Sequence, residues 1–122
     1  SPIGTPTSPE NDILVAMAQS AFDSHKGRLK KGGILFVDSG LVTDIDGLDP
    51  SVTVWKVPAT EKAVELGSRM AGNMVMLGFI REKTGLISEE SLLSSIRESV
   101  REKFVEMNTA AFREGARMAR EA

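Results

Sequence analysis

The chain has 122 residues, 41% of them hydrophobic and 26% charged, with a formal net charge of −2. This length allows one domain with a hydrophobic core, and the near-neutral charge argues against nucleic acid or an anionic membrane as the main partner. The lack of cysteine excludes disulfides, thiol nucleophiles and iron–sulfur clusters held by the thiolates of these residues. No signal peptide or membrane-spanning run is visible, so we expect a cytoplasmic location.

The first half of the sequence predicts a βαβ unit and a third strand. Residues 1–11 contain three prolines and have the composition of a connecting segment, because proline resists both helix and central strand. Two continuous apolar runs typical of buried parallel strands follow. We predict a strand at 13–17, a helix at 19–30 with Gly32 just beyond its end, a strand at 34–37 and a third strand, nearer an edge, at 52–57.

The second half predicts helices around one strongly apolar segment. Met70 to Ile80 are apolar or glycine except Asn73, and an element that is apolar all round is expected to have neighbours on several sides. Asn73 would then be a buried side chain in need of hydrogen-bond partners. Gly72 and Gly78 would let other backbones approach closely, within the chain or at a subunit interface. The remaining helices are predicted at 61–66 after a Thr60 cap, after a Ser88 cap, and at 101–121.

Two stretches look like ligand-binding motifs but lack the required context. The Lys-Gly-Gly sequence at 31–33 follows a predicted helix and precedes a strand, whereas phosphate loops follow a strand and open a helix, so we expect a tight turn. The acidic stretch 44–49 lacks the glycine and glutamate that a calcium loop needs at its sixth and twelfth positions, which predicts a solvated turn. His25 lies in a polar segment and is expected at the surface.

Candidate binding residues lie where the predicted strands end, because ligands of open α/β sheets approach the carboxyl ends of the strands. Those ends place Gln19, Ser39 and Thr60 on one rim, where they could contact a ligand or a partner. The alternative, that all three cap helices or turns, stays open. The sequence shows no nucleophile–base pair and no evident pair of catalytic carboxylates, so it predicts no catalytic or metal-binding residue.

Strands followed by helices predict an α/β fold. We expect one three-layer α/β/α, Rossmann-like domain over residues 1–122, with a mostly parallel sheet and a helical C-terminal half. Doubly wound domains usually begin with a strand and a functional loop, whereas prolines come first here. We therefore expect a sheet that is incomplete at its N-terminus, with the first part of the parent domain absent from the chain.

Several segments, taken in order, identify a family. They are NDILVAM at 11–17, KKGGILFVDS at 30–39, KVPATEKAVELG at 56–67 and AGNMVMLGFIREKTGLISEESL at 71–92. With them the chain resembles the gamma subunit of 2-oxoacid:ferredoxin oxidoreductases. The closing stretch VEMNTAAFREGARMA at 105–119 is similar to that family's last helix, and the resemblance covers essentially the whole chain.

The resemblance implies a role in coenzyme A-dependent oxidative decarboxylation of a 2-oxoacid, with ferredoxin as electron acceptor. The NMVMLG segment at 73–78 slightly favours 2-oxoglutarate over pyruvate as the substrate. Thiamine diphosphate and iron–sulfur clusters would be carried by the alpha and beta partners, or by a ferredoxin-like delta subunit, and this chain alone would be inactive. Its implied place is beside the thiamine site, with a part in binding coenzyme A.

The chain departs from the family at its beginning. The family's glycine-rich loop, and a following segment rich in glycine, serine and arginine, have no counterpart here. Those segments include the residues best placed to contact coenzyme A, so no catalytic or cofactor residue is transferred. The alternative function is a non-catalytic Rossmann-like interaction module, which would associate as a homodimer through its central or last helix.

Overall fold

The computed structural model describes residues 11–85 and 88–122. The proline-containing segment predicted at 1–11 therefore lies almost wholly outside the described residues. The described chain forms two compact units that divide between Val57 and Pro58. The elements are β1 (Asn11–Ala16), α1 (Gln19–His25), β2 (Leu29–Asp38) and β3 (Thr53–Val57), then α2 (Ala59–Glu65), α3 (Gly72–Thr84), α4 (Glu89–Ser99) and α5 (Glu102–Glu121).

The first unit, here called the sheet unit, holds the predicted parallel strands. β2 is central, with β1 and β3 parallel on its two sides, so β3 is an edge strand of the described sheet, as predicted. The register places Ile34 of β2 opposite Ile13 on one side and Thr53 on the other. The α/β class and the parallel sheet are thus confirmed.

The helix predicted at 19–30 is too long, because α1 ends at His25 and a short 3₁₀ turn follows. Residues from Leu29 onward already belong to β2, so the turn predicted at 31–33 is wrong. Gly32 has a φ of +77° inside an irregular stretch of β2, where the pairing with β1 shifts. A glycine at positive φ permits such a strand irregularity as readily as the helix end for which it was taken.

The core of the sheet unit lies between the sheet and the segments that cross it. Leu14, Leu35 and Val37 from the strands are buried with Phe22 of α1 and Val42 of the loop after β2. Their burial explains why the short apolar runs were recognisable in the sequence. The helix α1 is only seven residues long and has few internal hydrogen bonds, so its stability depends on the packing of Phe22 in the core.

The second unit, here called the helical unit, contains α2 to α5, with α3 packed against α2 and α5. Val75, Met76 and Phe79 bury one face of α3. The prediction of burial on all sides is wrong, because Met70 is 88% exposed and Asn73 is exposed as well. Asn73 therefore needs no internal partner, since water can satisfy its amide.

Glycines set the distance between the helices. An ideal Cβ built on Gly78 would overlap the carbonyl oxygen of Phe112 in α5, and one built on Gly115 would overlap the carbonyl oxygen of Val75 in α3. A Cβ on Gly72 would lie 3.2 Å from the Thr60 hydroxyl oxygen. The predicted close approach is confirmed, and Gly72 and Gly78 are buried inside this unit instead of being exposed for a subunit interface.

The helix caps were predicted with mixed success. The Ser88 hydroxyl accepts the Ser91 N–H at 3.1 Å and caps α4, as expected for a serine followed by two glutamates. The Thr60 cap is wrong, because α2 begins one residue earlier, at Ala59, after Pro58. In the described part of the chain, no helix is both long enough and apolar enough to span a membrane.

Candidate functional site

The carboxyl ends of the parallel strands in the sheet unit form the predicted rim. Gln19 follows β1 at the start of α1, and Ser39 follows β2 directly. The loop from Ser39 to Val52 then leads back to the edge strand β3. Parallel pairing places the ends of β1 and β2 at the same edge of the sheet, so this loop occupies the position where ligands of open α/β sheets bind.

Asp38 anchors the beginning of that loop. It is the last residue of β2 and is fully buried. Its carboxylate oxygen Oδ1 accepts the Gly40 N–H at 3.0 Å, and its carbonyl oxygen accepts the Leu41 and Val42 N–H groups at 3.0 and 2.8 Å. A buried carboxylate must be hydrogen-bonded to be tolerated, and here the bonds fold the chain into a tight turn.

Gln19 anchors the same loop further along. Its carbonyl oxygen Oε1 accepts the N–H groups of Thr43 and Asp44 at 2.9 and 3.1 Å. Its amide nitrogen Nε2 donates to the Asp44 carbonyl oxygen at 2.8 Å and to the Asp23 carboxylate at 3.1 Å. Each polar atom of the Gln19 amide thus makes two bonds within the unit, so this residue is a loop anchor, close to the alternative weighed from the sequence.

Ser39 keeps a polar group available at the rim. Its N–H donates to the Val57 carbonyl oxygen at 2.9 Å, which extends the pairing of β2 with β3. Within residues 11–85 and 88–122 its hydroxyl has no hydrogen-bond partner, and the residue is half-buried. Of the two rim candidates in the sheet unit, Ser39 is the one whose side chain remains able to bind a ligand or partner.

Thr60, the third candidate, lies in α2 of the helical unit and packs against the start of α3. Its Cα and hydroxyl oxygen lie 3.3 and 3.2 Å from the position that a Cβ on Gly72 would take. Thr60 also takes part in a further interaction. Thr60 therefore has a packing role at the junction of α2 and α3.

The loop beyond the anchors is acidic and turns on its own hydrogen bonds. The Asp44 carboxylate accepts the Asp46 N–H, and the Asp49 carboxylate accepts both the N–H and the hydroxyl of Ser51. The hydrogen bonds from Ser51 hold the pKa of Asp49 below its ordinary value. This geometry matches the solvated turn predicted for 44–49, and the described residues contain no cluster of three or more carboxylate and histidine side chains suited to a metal ion.

Chemically, the rim can position main-chain groups and hydroxyls, including that of Ser39. The hydrogen bonds of Gln19 and Asp38 at this edge serve to order the loop. His25, expected at the surface, is exposed. An arrangement of this kind suits binding and positioning better than proton transfer or nucleophilic attack.

Sequence reasoning missed the importance of Asp38. The available signal was an acidic residue that directly follows four apolar strand residues, since a charge at the end of a buried strand requires local hydrogen bonds. The role of Gln19 as a loop anchor left no such signal, because its main-chain partners lie 24 and 25 residues further along the chain.

Comparison with known proteins connects this fold to oxidoreductases. A family model described as pyruvate ferredoxin/flavodoxin oxidoreductase matches residues 1–118. The 2-oxoglutarate synthase subunit KorC of Methanocaldococcus jannaschii is 36% identical over 121 residues, which cover 98% of this chain and 65% of that relative. The chain thus spans slightly less than two thirds of the relative's length.

Solved structures show the same architecture. The gamma subunit of a keto/oxoacid ferredoxin oxidoreductase from Geobacter sulfurreducens is similar with a TM-score of 0.80 and 34% identity, over 91% of this chain and 65% of that one. A 2-oxoglutarate:ferredoxin oxidoreductase from Magnetococcus marinus, solved with 2-oxoglutarate, coenzyme A and succinyl-CoA bound, is similar with a TM-score of 0.81 and 26% identity, over 91% of this chain and 20% of that one.

Proposed function

This chain belongs to the pyruvate ferredoxin/flavodoxin oxidoreductase family, and we propose that it is the gamma part of a 2-oxoacid:ferredoxin oxidoreductase. In this role it supports the coenzyme A-dependent oxidative decarboxylation of a 2-oxoacid, with ferredoxin accepting the electrons. The observation that carries the proposal is the agreement of sequence and fold over 91% of the chain with a gamma subunit of this enzyme class.

We infer 2-oxoglutarate as the 2-oxoacid. Two similar proteins support it through what is known of them: one is a 2-oxoglutarate synthase subunit, and the other was solved with 2-oxoglutarate bound. The described rim offers the Ser39 hydroxyl, and the Lys26 ammonium beside the loop donates to the Asp46 carbonyl oxygen at 3.3 Å. We infer that the substrate itself is recognised by other subunits.

We assign the iron–sulfur clusters and thiamine diphosphate of such an enzyme to its other subunits. Iron–sulfur clusters do not fit on these residues, because protein ligands to such clusters are mainly cysteine thiolates and the chain has none. We propose that alpha and beta subunits, with a ferredoxin-like delta subunit where one is present, carry the clusters and thiamine diphosphate in the cytoplasm. The proposed role of this chain is to form part of the coenzyme A pocket with the loop from Ser39 to Val52.

Reconstitution tests the proposed function. The full chain is combined with the alpha and beta subunits, and reduction of a viologen dye is followed with 2-oxoglutarate and coenzyme A. We expect activity that falls to background when this chain is omitted, and a higher kcat/KM for 2-oxoglutarate than for pyruvate or a branched-chain 2-oxoacid. Equal activity with and without the chain would contradict the assignment.

Ser39→Ala tests the rim. Removal of one neutral hydrogen bond is worth about 0.5–1.5 kcal/mol, which corresponds to an increase of roughly two- to twelvefold in the KM for coenzyme A. The control is Ser20→Ala, which removes an exposed hydroxyl from α1. If Ser39→Ala leaves the KM for coenzyme A at the wild-type value, Ser39 does not contact it.

The rival function, an interaction module without a role in catalysis, gives opposite results. It predicts self-association of the chain through α3 or α5 and no effect of coenzyme A on thermal stability. A rise in the melting temperature of the assembled enzyme with coenzyme A would count against it, because a ligand that binds the native state stabilises that state.

A further inference from the structure

We propose that an open groove in the helical unit docks an acidic, amphipathic segment of another subunit of the same enzyme, a proposal that rests on the function proposed above. The groove lies between the start of α3 and the junction of α4 with α5, and its volume is about 470 Å³. Its apolar lining comes mainly from Met70, Met74, Val100, Phe104 and Met107, and we call it the Met70–Phe104 groove.

The groove continues the buried face of α5 beyond the helices that cover it. Phe104 and Met107 precede Ala111 by seven and four residues, so they lie on the same helix face as the residue that α5 buries. Toward the start of α5 this face loses its cover: Ala111 is buried, Met107 is half-buried and Phe104 is 46% exposed. The apolar face of α5 thus extends beyond the helices of this chain that cover it, and we expect its exposed part to be covered by another chain.

Methionines suit this surface to a partner with irregular side chains. Met70 is 88% exposed on the turn before α3, and Met74 and Met107 are half-buried on the two walls. The unbranched, polarisable methionine side chain adapts to varied apolar contacts and is common on surfaces that bind other chains. The groove therefore fits side chains of a docked segment better than it fits one rigid small molecule.

The charges at the groove indicate the sign of its occupant. Arg101 lines the groove, and Arg69 precedes the lining residue Met70 in the chain. Both arginines are exposed, and within the described part of the chain neither makes an ion pair. By contrast, Arg117 and Arg120 on the same unit are paired with glutamates. Carboxylates on the docked segment would pair with Arg69 and Arg101 while its apolar side chains fill the groove.

A second copy of this chain fits the groove less well. A two-fold interface uses the same patch on both copies, so it would bring the arginines of one groove against those of the other. Glu102 and Glu106, the nearest acidic residues of α5, line a different groove. Charge complementarity thus favours a different subunit as the partner.

The test measures assembly of the full chain with the alpha and beta subunits. Met70→Glu and Phe104→Glu place a carboxylate on the apolar lining, and we expect each to weaken assembly at least about tenfold, as loss of a central interface residue does. Val64→Glu is the matched control, since Val64 is an apolar residue of α2, 54% exposed, that does not line the groove. Thermal unfolding of each variant establishes that it is folded.

Arg101→Glu tests the charge. We expect weaker assembly and, in contrast to the wild type, no further weakening by added salt, because screening acts on attraction between opposite charges. If Met70→Glu and Phe104→Glu both assemble as tightly as the wild type, the docking proposal is overturned and the proposed function is not. The same holds if Val64→Glu weakens assembly as much as they do. Dimerisation of the isolated chain that Met70→Glu abolishes would make a second copy the occupant and also overturn it. Failure of the wild-type chain to assemble with alpha and beta would instead remove the proposed function.

Discussion

The sheet unit and the helical unit achieve order in different ways. In the sheet unit, the strands pair with one another, and polar side chains, above all Gln19 and Asp38 at the rim, bond to the main chain of the loop after β2. In the helical unit, α3 and α5 approach each other through Gly78 and Gly115, and the ion pairs of Arg117 with Glu114 and Glu121 lie near the surface. Changes in side-chain volume should therefore matter most in the helical unit, and loss of a hydrogen-bond acceptor most in the sheet unit.

The largest effect is expected from Gly115→Ala. Alanine normally stabilises a helix by about 1 kcal/mol relative to glycine, but here the new Cβ overlaps the Val75 carbonyl oxygen, so we expect a loss of about 1–3 kcal/mol in the free energy of unfolding. Urea denaturation of the full chain measures it. Gly27→Ala is the control, because no atom lies within 4 Å of a Cβ at that position. A variant at Gly115 as stable as the wild type would contradict the close helix contact.

Asp38→Ala should have the next largest effect, in the sheet unit. The substitution removes the acceptor of the Gly40 N–H, which is only partly buried, and we expect a loss of about 1.5 kcal/mol, the upper end of the usual contribution of one hydrogen bond. Asp38→Asn keeps an acceptor oxygen and should cost less. Unfolding by urea distinguishes the two, and equal stability of Asp38→Ala and the wild type would show that the turn does not depend on this carboxylate.

Gln19→Ala should loosen the loop with a smaller cost. It removes the acceptor for the Thr43 and Asp44 N–H groups, and we expect a loss of about 1 kcal/mol together with faster hydrogen exchange at those two amides. Ser20→Ala, at an exposed neighbouring position, should leave both exchange rates unchanged. Unaltered exchange in Gln19→Ala would mean that the loop is held by other contacts.

Glu114→Gln should give the smallest effect, and one that depends on pH. Hydrogen bonding to Arg117, whose Nη2 lies 2.5 Å from the carboxylate, holds the pKa of Glu114 below its ordinary value of 4.5. A lowered folded-state pKa contributes stability above the unfolded pKa, and this contribution is lost as the pH falls through the folded pKa. The wild type should therefore exceed Glu114→Gln by about 0.5 kcal/mol at pH 7, with no difference at strongly acidic pH.

Thermal or urea unfolding at several pH values measures that difference. A constant gap between the two proteins from neutral to acidic pH would show that the stabilisation does not come from the charge on Glu114. Packing and hydrogen bonding would then remain as the differences between the two units, and the ion pair of Glu114 would not be one of them.

Local sequence patterns predicted the secondary structure well where one kind of residue, such as an apolar run or a capping serine, is enough to locate a strand or the start of a helix. Continuous apolar runs located β1 and β2, and Ser88 followed by two glutamates located the start of α4. The same reasoning failed at Gly32, because positive φ occurs both in strand irregularities and at helix ends, and one glycine does not distinguish them. It failed at Thr60 because Pro58 can precede the first turn of a helix without a side-chain cap.

For the candidate site, the sequence predicted that Gln19 and Ser39 follow strands of the sheet, but it did not predict which hydrogen bonds their side chains make. Gln19 and Ser39 both follow strands of the parallel sheet, yet only the folded loop gives Gln19 four hydrogen bonds and leaves the Ser39 hydroxyl without a described partner. Those bonds join residues far apart in the chain, so no local pattern records them.

By itself, the sequence determined the α/β class, the family and the need for close backbone contact at Gly78, because apolar runs, motif segments and glycine in a helix each have direct physical consequences. Tertiary structure alone decided which face of α3 is buried, which left Asn73 exposed, and it also left Met70 exposed on the turn before α3. The reason is that burial depends on where neighbouring helices end, and the cover over α5 is lost before Phe104 is reached.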